Sequence, residues 1–118
     1  MHWTEAEYAV YCSRQLPAPA SQGVLREAAF LAQVRSIAHQ HGWLTYHPYN
    51  SQRSEEGWPD LACCNGHRLV LTELKVGSRK PTAAQARWLE MLGHVETVES
   101  YLWYPSQLAD ITTILSHR

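Results

Sequence analysis

The sequence predicts a single α/β domain with the element order α-β-β-β-α-β-α. Apolar residues recur at helical spacing over residues 24–41, and a shorter stretch with the same spacing follows Pro81. Between these helices, apolar runs flank Asn65-Gly66. An Asn-Gly pair between apolar runs is a strong hairpin signal, because both residues tolerate the positive φ of a type I′ turn. The length of 118 residues suits one domain.

Composition narrows the class of protein. The apolar fraction of 45% and the charged fraction of 18% are ordinary for a globular chain, and no apolar run approaches the roughly 18 residues of a membrane span. The first residues lack the basic and apolar regions of a secretory signal, so we expect a cytoplasmic protein without a membrane partner. A net charge of −1 lacks the bulk basicity of many nucleic-acid binders, so any contact with DNA must be local.

The cysteines favour reduced thiols. Cys12, Cys63 and Cys64 are odd in number and have no C-x-x-C spacing, which argues against a disulfide framework and a structural zinc ribbon. Cys64 and His67 could be interpreted as zinc ligands, but they flank a tight turn, and the hairpin explains their positions.

The N-terminal part divides into an accessory segment and the first core helix. Residues 1–23 combine a short helical stretch with a linker rich in proline and small residues, and residues 24–118 form the predicted domain. The core helix carries an apolar stripe and ends before Gly42, a common C-terminal stop. The stripe consists of Phe30, Leu31, Val34, Ile37 and Ala38.

The remaining elements follow in order. A β-prone run over residues 43–47 ends at Pro48, a polar loop covers residues 49–57, and the hairpin strands cover residues 61–64 and 67–76. Thr82 and Gln85 match a capping box at the next helix, which Gly93 ends. A strand over residues 101–104 and a helix from about residue 106 complete the chain. The spacing of Trp43, Trp88 and Trp103 indicates packing rather than base stacking.

The predicted hairpin brings two carboxylates and a lysine together. With the Asn-Gly pair at the tip, Cys64 pairs with His67 and Trp58 with Glu73, and Asp60 then shares a face with Glu73 and Lys75. Diagonal neighbours on a sheet face are roughly 7–8 Å apart, so both carboxylates could hold one cation. This arrangement favours a hard-metal site with a lysine as base or electrostatic helper. The alternative is a solvated cluster of charges at a strand edge.

The full series of motifs resembles the PD-(D/E)xK nuclease superfamily and, more narrowly, its VRR-NUC family of small standalone phage or bacterial proteins. Pro59-Asp60 lies on one predicted strand, Glu73-x-Lys75 on the next, and Gln85 in the following helix. The resemblance covers roughly residues 25–115. It also includes Glu27, the run 42–47, Ser51-x-Arg53-Ser54, Gly57, Trp88 and Trp103-x-Pro105.

The resemblance implies a restriction-endonuclease-like αβββαβ core, with a mixed central sheet flanked by helices. It implies a Mg²⁺- or Mn²⁺-dependent endonuclease that hydrolyses DNA phosphodiester bonds in a bacterial or phage-infected cell. A small chain that reads backbone shape would prefer four-way junctions or flaps, and paired cuts favour a homodimer. The alternatives are a catalytically inactive DNA-binding or interaction module with this fold, and a nuclease that acts on RNA.

The resemblance assigns metal and catalytic roles to particular residues. Asp60, Glu73 and the main-chain carbonyl of Leu74 would bind the metal, and Lys75 would orient water or neutralise charge on the phosphate. Glu27 would be a third carboxylate, although a glutamate in a first helical turn also complements the helix dipole.

Gln85 and several basic or hydroxyl-bearing residues each have two possible interpretations, one functional and one structural. The amide of Gln85 would reach the active site, whereas the capping box alone also explains a glutamine there. The loop residues and the residues before the second helix offer donors to phosphate oxygens, although a polar loop is often only a loop. These predicted DNA contacts are His47, Ser51, Arg53, Ser54, Arg79 and Lys80.

Overall fold

The computed structural model describes residues 19–48 and 55–118. Its helices are α1 (Pro19–Gln40), α2 (Ala83–Gly93) and α3 (Leu108–Ser116), and a 3-10 turn (Pro105–Gln107) leads into α3. Its strands are β1 (Leu44–Tyr46), β2 (Leu61–Cys64), β3 (Leu69–Leu74) and β4 (Val98–Trp103). This order is the predicted one. Over these two ranges, no helix has both the length and the apolar character that crossing a bilayer requires.

The four strands form one mixed sheet in the order β1-β2-β3-β4. The pairs β1/β2 and β2/β3 are antiparallel, while β3 and β4 are parallel. A parallel pair needs a long crossover connection, and α2 lies in that connection. The mixed sheet flanked by helices confirms the predicted α/β architecture.

The main core lies between one face of the sheet and the pair α1 and α3. Phe30 and Val34 of α1, Ile111 of α3, and Leu61 and Val70 of the sheet are fully buried there. Trp43 and Trp103 are buried as well, which confirms their predicted packing role. Helix α2 contains no fully buried residue and lies against β3 and β4. It therefore covers the second face of the sheet only in part.

The tip of the hairpin differs from the prediction by one residue. Asn65 donates its N–H to Arg68 O over 3.2 Å, so these two residues close the turn and Gly66 and His67 occupy its centre. Gly66 has φ 92°, and no non-glycine residue in the described part of the chain has a positive φ, which fits a type II′ turn rather than type I′. Asn65 Oδ1 instead accepts the N–H groups of His67 and Arg68, over 2.9 and 2.7 Å.

This tip corrects the predicted register. Cys64 pairs with Leu69 rather than His67, a shift of two positions along β3. Because side chains alternate with period two, an even shift leaves every residue on its predicted face. Continuation of the register beyond Leu61 and Thr72 places Asp60, rather than Trp58, opposite Glu73. The carboxylates are therefore direct rather than diagonal neighbours.

Helix α1 starts earlier than predicted. It begins at Pro19, so residues 19–23 are helical rather than part of a linker. Proline fits a first helical position because its missing N–H has no partner there in any case. The predicted helical stretch and the first part of the linker lie outside the described residues. Strand β4 likewise begins at Val98, three residues before the prediction.

Arg68 ties the hairpin tip to the C-terminal helix. Its guanidinium forms two hydrogen bonds of 2.6 Å with the Glu99 carboxylate and donates to the carbonyls of Ile114 and His117 over 2.8 and 2.7 Å. It also lies over the Trp43 ring, 5.1 Å from the centroid. The hydrogen bond from Arg68 lowers the pKa of Glu99. These contacts fasten the hairpin tip to β4 and to the end of α3.

Candidate active site

Asp60 and Glu73 meet where β2 begins and β3 ends. Asp60 immediately precedes β2, and Glu73 is the penultimate residue of β3. The carboxylate of Asp60 accepts the main-chain N–H of Leu74, with Oδ2 3.0 Å from the nitrogen. This bond fixes Asp60 against the end of β3 and uses one of its two carboxylate oxygens.

Glu73 is a buried acid with an incomplete set of partners. Its residue is only 1% exposed. Oε1 accepts a hydrogen bond of 3.2 Å from Gln85 Nε2, while the buried Oε2 has no hydrogen-bond partner among the described residues. Burial, followed by the neighbouring Asp60 carboxyl, raises the pKa of Glu73 to about 9, and the positive charge of Lys75 opposes the rise. A charge at this position requires a counter-charge.

Gln85 completes the predicted capping box and also contacts Glu73. Gln85 N donates to Thr82 Oγ1 over 3.2 Å, and Thr82 N donates to Gln85 Oε1 over 2.8 Å, so the capping box is complete. The second amide atom, Nε2, remains available and donates to Glu73. The cap therefore orients the side chain that holds the buried carboxylate.

Lys75 and Leu74 follow directly on Glu73. Leu74 is buried, and Lys75 is half-buried. The main-chain N–H of Lys75 donates to Trp103 O over 3.0 Å, which anchors the residue to the end of β4. The positive charge of Lys75 lowers the pKa of Glu73 and so opposes the larger effect of burial. The predicted pair Glu73-x-Lys75 thus lies at one end of the sheet.

A pocket of about 230 Å³ opens beside Asp60 on the α1 side. Its lining includes Glu27 and Leu31 of α1, together with His47, Asp60 and Leu74. His47 Nδ1 lies 2.6 Å from Asp60 O. Because a carbonyl oxygen only accepts, Nδ1 carries the proton and Nε2 remains for another partner. His47, a predicted DNA contact, thus lines this pocket.

Glu27 and Arg79 form an ion pair at this pocket. The guanidinium of Arg79 donates to Glu27 Oε1. The hydroxyl of Tyr104 donates to Arg79 O over 2.6 Å and fixes the backbone that carries the arginine. The predicted third carboxylate and one predicted DNA contact are therefore paired with each other. Lys80 is exposed beside them.

The turn before Asp60 packs tightly on α2. Gly57 has φ 87°, and a Cβ there would lie 2.6 Å from the main-chain carbonyl carbon of Ala84. Trp88 Nε1 donates to Glu56 O over 3.1 Å, and the Trp58 and Trp88 rings meet edge-on with centroids 5.0 Å apart. The predicted packing role of Trp88 is thus a contact with this turn. The closeness of Gly57 to α2 was visible only in the tertiary structure.

The comparison with solved structures identifies the architecture. A structure described as a VRR_NUC domain matches this chain with a TM-score of 0.60 and 19% sequence identity, over 74% of this chain and 94% of that one. This chain has the VRR-NUC fold. The resemblance predicted from the motifs is confirmed at the level of the fold. No family model and no curated protein match the sequence.

The donor atoms of this VRR-NUC fold suit a small divalent cation. In the part of the chain that the structure describes, no three residues among His, Cys, Asp and Glu cluster as a metal site. Two facing carboxylates and main-chain oxygens are the alternative set. The unpartnered Glu73 Oε2 fits a cation between Asp60 and Glu73. Ser51, Arg53 and Ser54 lie outside the described residues.

Proposed function

We propose that this chain is a divalent-metal-dependent DNA endonuclease that hydrolyses phosphodiester bonds. The observation that carries the proposal is that Asp60 is held at the end of β3 next to Glu73, whose buried Oε2 has no hydrogen-bond partner in the described ranges. Two carboxylates this close cannot both be charged at neutral pH unless a cation lies between them. The VRR-NUC fold supports the proposal that such a site belongs to a nuclease.

The proposed ligands are all oxygens. Asp60 and Glu73 each supply a carboxylate, and Leu74 supplies its main-chain carbonyl. Mg²⁺ and Mn²⁺ accept oxygen ligands and leave positions for water and phosphate. When bound, the cation polarises the scissile phosphate and makes water a stronger nucleophile. Glu27 joins the site only after its ion pair with Arg79 opens.

The neighbouring side chains orient the reacting groups. Gln85 holds Glu73 through its 3.2 Å hydrogen bond and so fixes the direction of that carboxylate. Lys75 supplies a positive charge beside the site and stabilises charge that develops on the phosphate during attack. His47 holds the backbone of Asp60 through Nδ1 and presents Nε2 to the pocket.

Basic side chains around the pocket would hold the DNA backbone. Arg79 and Lys80 precede α2, and we propose that a phosphate takes the place of the Glu27 carboxylate on Arg79. Arg53, Ser51 and Ser54 are proposed contacts from the loop before Gly57. Binding through a few cations should weaken with added salt, because the release of counterions into a more concentrated salt solution is less favourable.

We further propose that the enzyme is a homodimer that prefers branched or flapped DNA. The chain has little room for base readout through a groove, so the shape of the backbone would supply specificity. Two sites at a fixed spacing would allow paired cuts across a junction. Light scattering and a comparison of linear, flapped and four-way DNA test both parts. A monomer that cuts linear and branched DNA equally would contradict them.

The proposed activity has a direct test. Purified protein is incubated with DNA and, separately, RNA in Mg²⁺, Mn²⁺, Ca²⁺ or EDTA. Cleavage of DNA is expected with Mg²⁺ and Mn²⁺ only, and Asp60→Ala should lower it by orders of magnitude. Asp110→Ala changes an exposed aspartate of α3 and is the matched control. Wild-type cleavage by Asp60→Ala, or binding of DNA without any cleavage, would contradict the proposal.

A further inference from the structure

An exposed tyrosine lies on the face of the sheet that carries Asp60 and Glu73. Tyr46 pairs with Ala62, and Ala62 pairs with Leu71. Paired residues share a face of the sheet, and so do residues two apart along a strand. Asp60 precedes Ala62 by two positions and Glu73 follows Leu71 by two. Tyr46 therefore lies one row of side chains from the carboxylates, about 7 Å along the strands.

The surface around Tyr46 is open and apolar. Tyr46 is 61% exposed and Leu44, two residues earlier on the same face, is 78% exposed. Helix α2 covers the other half of this face, where Ser100 Oγ donates to Leu89 O over 3.3 Å. Within residues 19–48 and 55–118, strand β1 is at the edge of the sheet, so its outer side has no neighbouring strand there. The Tyr46 ring has no hydrogen bond or ring contact with any described residue.

The opposite side of β1 carries nitrogen donors. Arg35 Nε donates to Thr45 Oγ1 over 3.1 Å, and His39 Nε2 lies 2.9 Å from the same oxygen. Thr45 lies between Leu44 and Tyr46 and points to the other face of the sheet. The edge strand thus has an aromatic surface on one side and a positively charged side chain on the other. This combination suits a nucleic-acid strand, with bases on the ring and phosphates near the cation.

We propose that Tyr46 is a stacking platform for an unpaired nucleobase of the strand held at Asp60 and Glu73, with Arg35 near its backbone. A base inside a duplex is covered on both faces by the neighbouring bases. An exposed ring can therefore stack only on a base that has lost a neighbour on one face. Tyr46 would then select substrates with an unpaired nucleotide beside the cleaved bond. This inference rests on the proposed nuclease function, because the position of Tyr46 is significant only relative to Asp60 and Glu73.

Fluorescence of 2-aminopurine tests the stacking without cleavage. The probe is a DNA fork with one unpaired 2-aminopurine, and all variants carry Glu73→Gln to prevent hydrolysis. Quenching is expected in the parent and in Tyr46→Phe, and its loss in Tyr46→Ala, with binding of the fork weakened about tenfold. Binding of a fully paired duplex should not change. Met91→Ala removes a side chain that is 55% exposed on α2 and should match the parent.

The contrary outcomes are distinct. Equal quenching by the parent and by Tyr46→Ala would overturn the stacking role. A change of oligomeric state in Tyr46→Ala, with quenching intact, would assign this edge to a second copy of the chain and overturn it as well. Cleavage of DNA by wild type together with unaltered quenching in Tyr46→Ala removes only the stacking inference. Quenching without cleavage under any metal condition removes the nuclease function and leaves the stacking role in place.

Discussion

Gln85 donates from Nε2 to Glu73 Oε1 over 3.2 Å while its Oε1 accepts the N–H of Thr82 over 2.8 Å. One side chain thus joins the first turn of α2 to the buried carboxylate of β3. A capping residue is held by the helix that it caps, so its free end has a defined direction. The position of Glu73 therefore depends on the correct start of α2, a local feature of the sequence.

Two substitutions at Gln85 should separate the cap from the site. Gln85→Ala removes one cap bond and the bond to Glu73, and we expect unfolding free energy to fall by about 1 kcal/mol, with weaker Mn²⁺ binding. Gln85→Glu keeps a residue that completes a capping box but places a carboxylate, which cannot donate, against Glu73. It should retain the stability of the helix and change Mn²⁺ affinity. Urea unfolding and calorimetry measure the two effects, and equal Mn²⁺ affinity in all three proteins would contradict the role.

Glu73 should make the metal-free protein less stable as pH rises. The folded-state pKa of about 9 lies above the ordinary value of 4.5. Between these values the folded protein keeps a proton that the unfolded chain releases, so the free energy of unfolding falls with increasing pH by up to about 1.4 kcal/mol per unit. Glu73→Gln removes this contribution.

Urea unfolding in EDTA from pH 5 to pH 9 measures the contribution of Glu73 to the pH dependence of the free energy of unfolding. Glu73→Gln should be more stable than wild type near pH 8, and the difference should shrink towards pH 5. The control Glu96→Gln, at an exposed glutamate, should follow wild type throughout. Parallel curves for wild type and Glu73→Gln would show that Glu73 is not perturbed by burial.

Lys75→Ala should separate catalysis from metal binding. A lysine does not ligate a cation, so its loss should leave Mn²⁺ binding in place or strengthen it, while kcat falls by about one hundredfold or more. Calorimetric titration with Mn²⁺ and single-turnover cleavage give the two values. Lys80→Ala, an exposed lysine outside the carboxylate site, should affect DNA affinity more than kcat. Loss of Mn²⁺ binding in Lys75→Ala would contradict the assigned role.

Arg68→Ala should destabilise the fold without a direct effect on the site. The substitution leaves Glu99 and the carbonyls of Ile114 and His117 without their partner, and we expect a loss of about 2–4 kcal/mol in urea unfolding. Arg68→Lys should restore only part of it, because an ammonium group cannot bind the carboxylate through two parallel bonds. Arg87→Ala, at an exposed arginine of α2, should change stability by less than about 0.5 kcal/mol. A loss no larger than that control would show that the cluster contributes little.

Local signals in the sequence were sufficient to predict the order of the helices and strands and the residue at which α2 starts. The capping box depends on residues three apart, so Thr82 and Gln85 specify it without the rest of the fold. The alternation of side chains in β2 and β3 was equally local, and it placed Asp60 and Glu73 on one face even though the register was shifted by two. The motifs also predicted the architecture through their resemblance to the VRR-NUC family, and the structural match confirms that fold.

The position of the hairpin tip was not predicted although its contacts are local, and long-range contacts decided the rest. The side chain of Asn65 accepts two N–H groups and moves the turn by one residue, which places Asp60 directly opposite Glu73. The pair of Glu27 with Arg79 joins residues 52 positions apart, and no periodicity in the sequence announces it. Burial of Glu73 depends on α2 lying over the sheet, and its raised pKa follows from that burial. The sequence determined which side chains are available, whereas only packing decided which charges lose water and which find a partner.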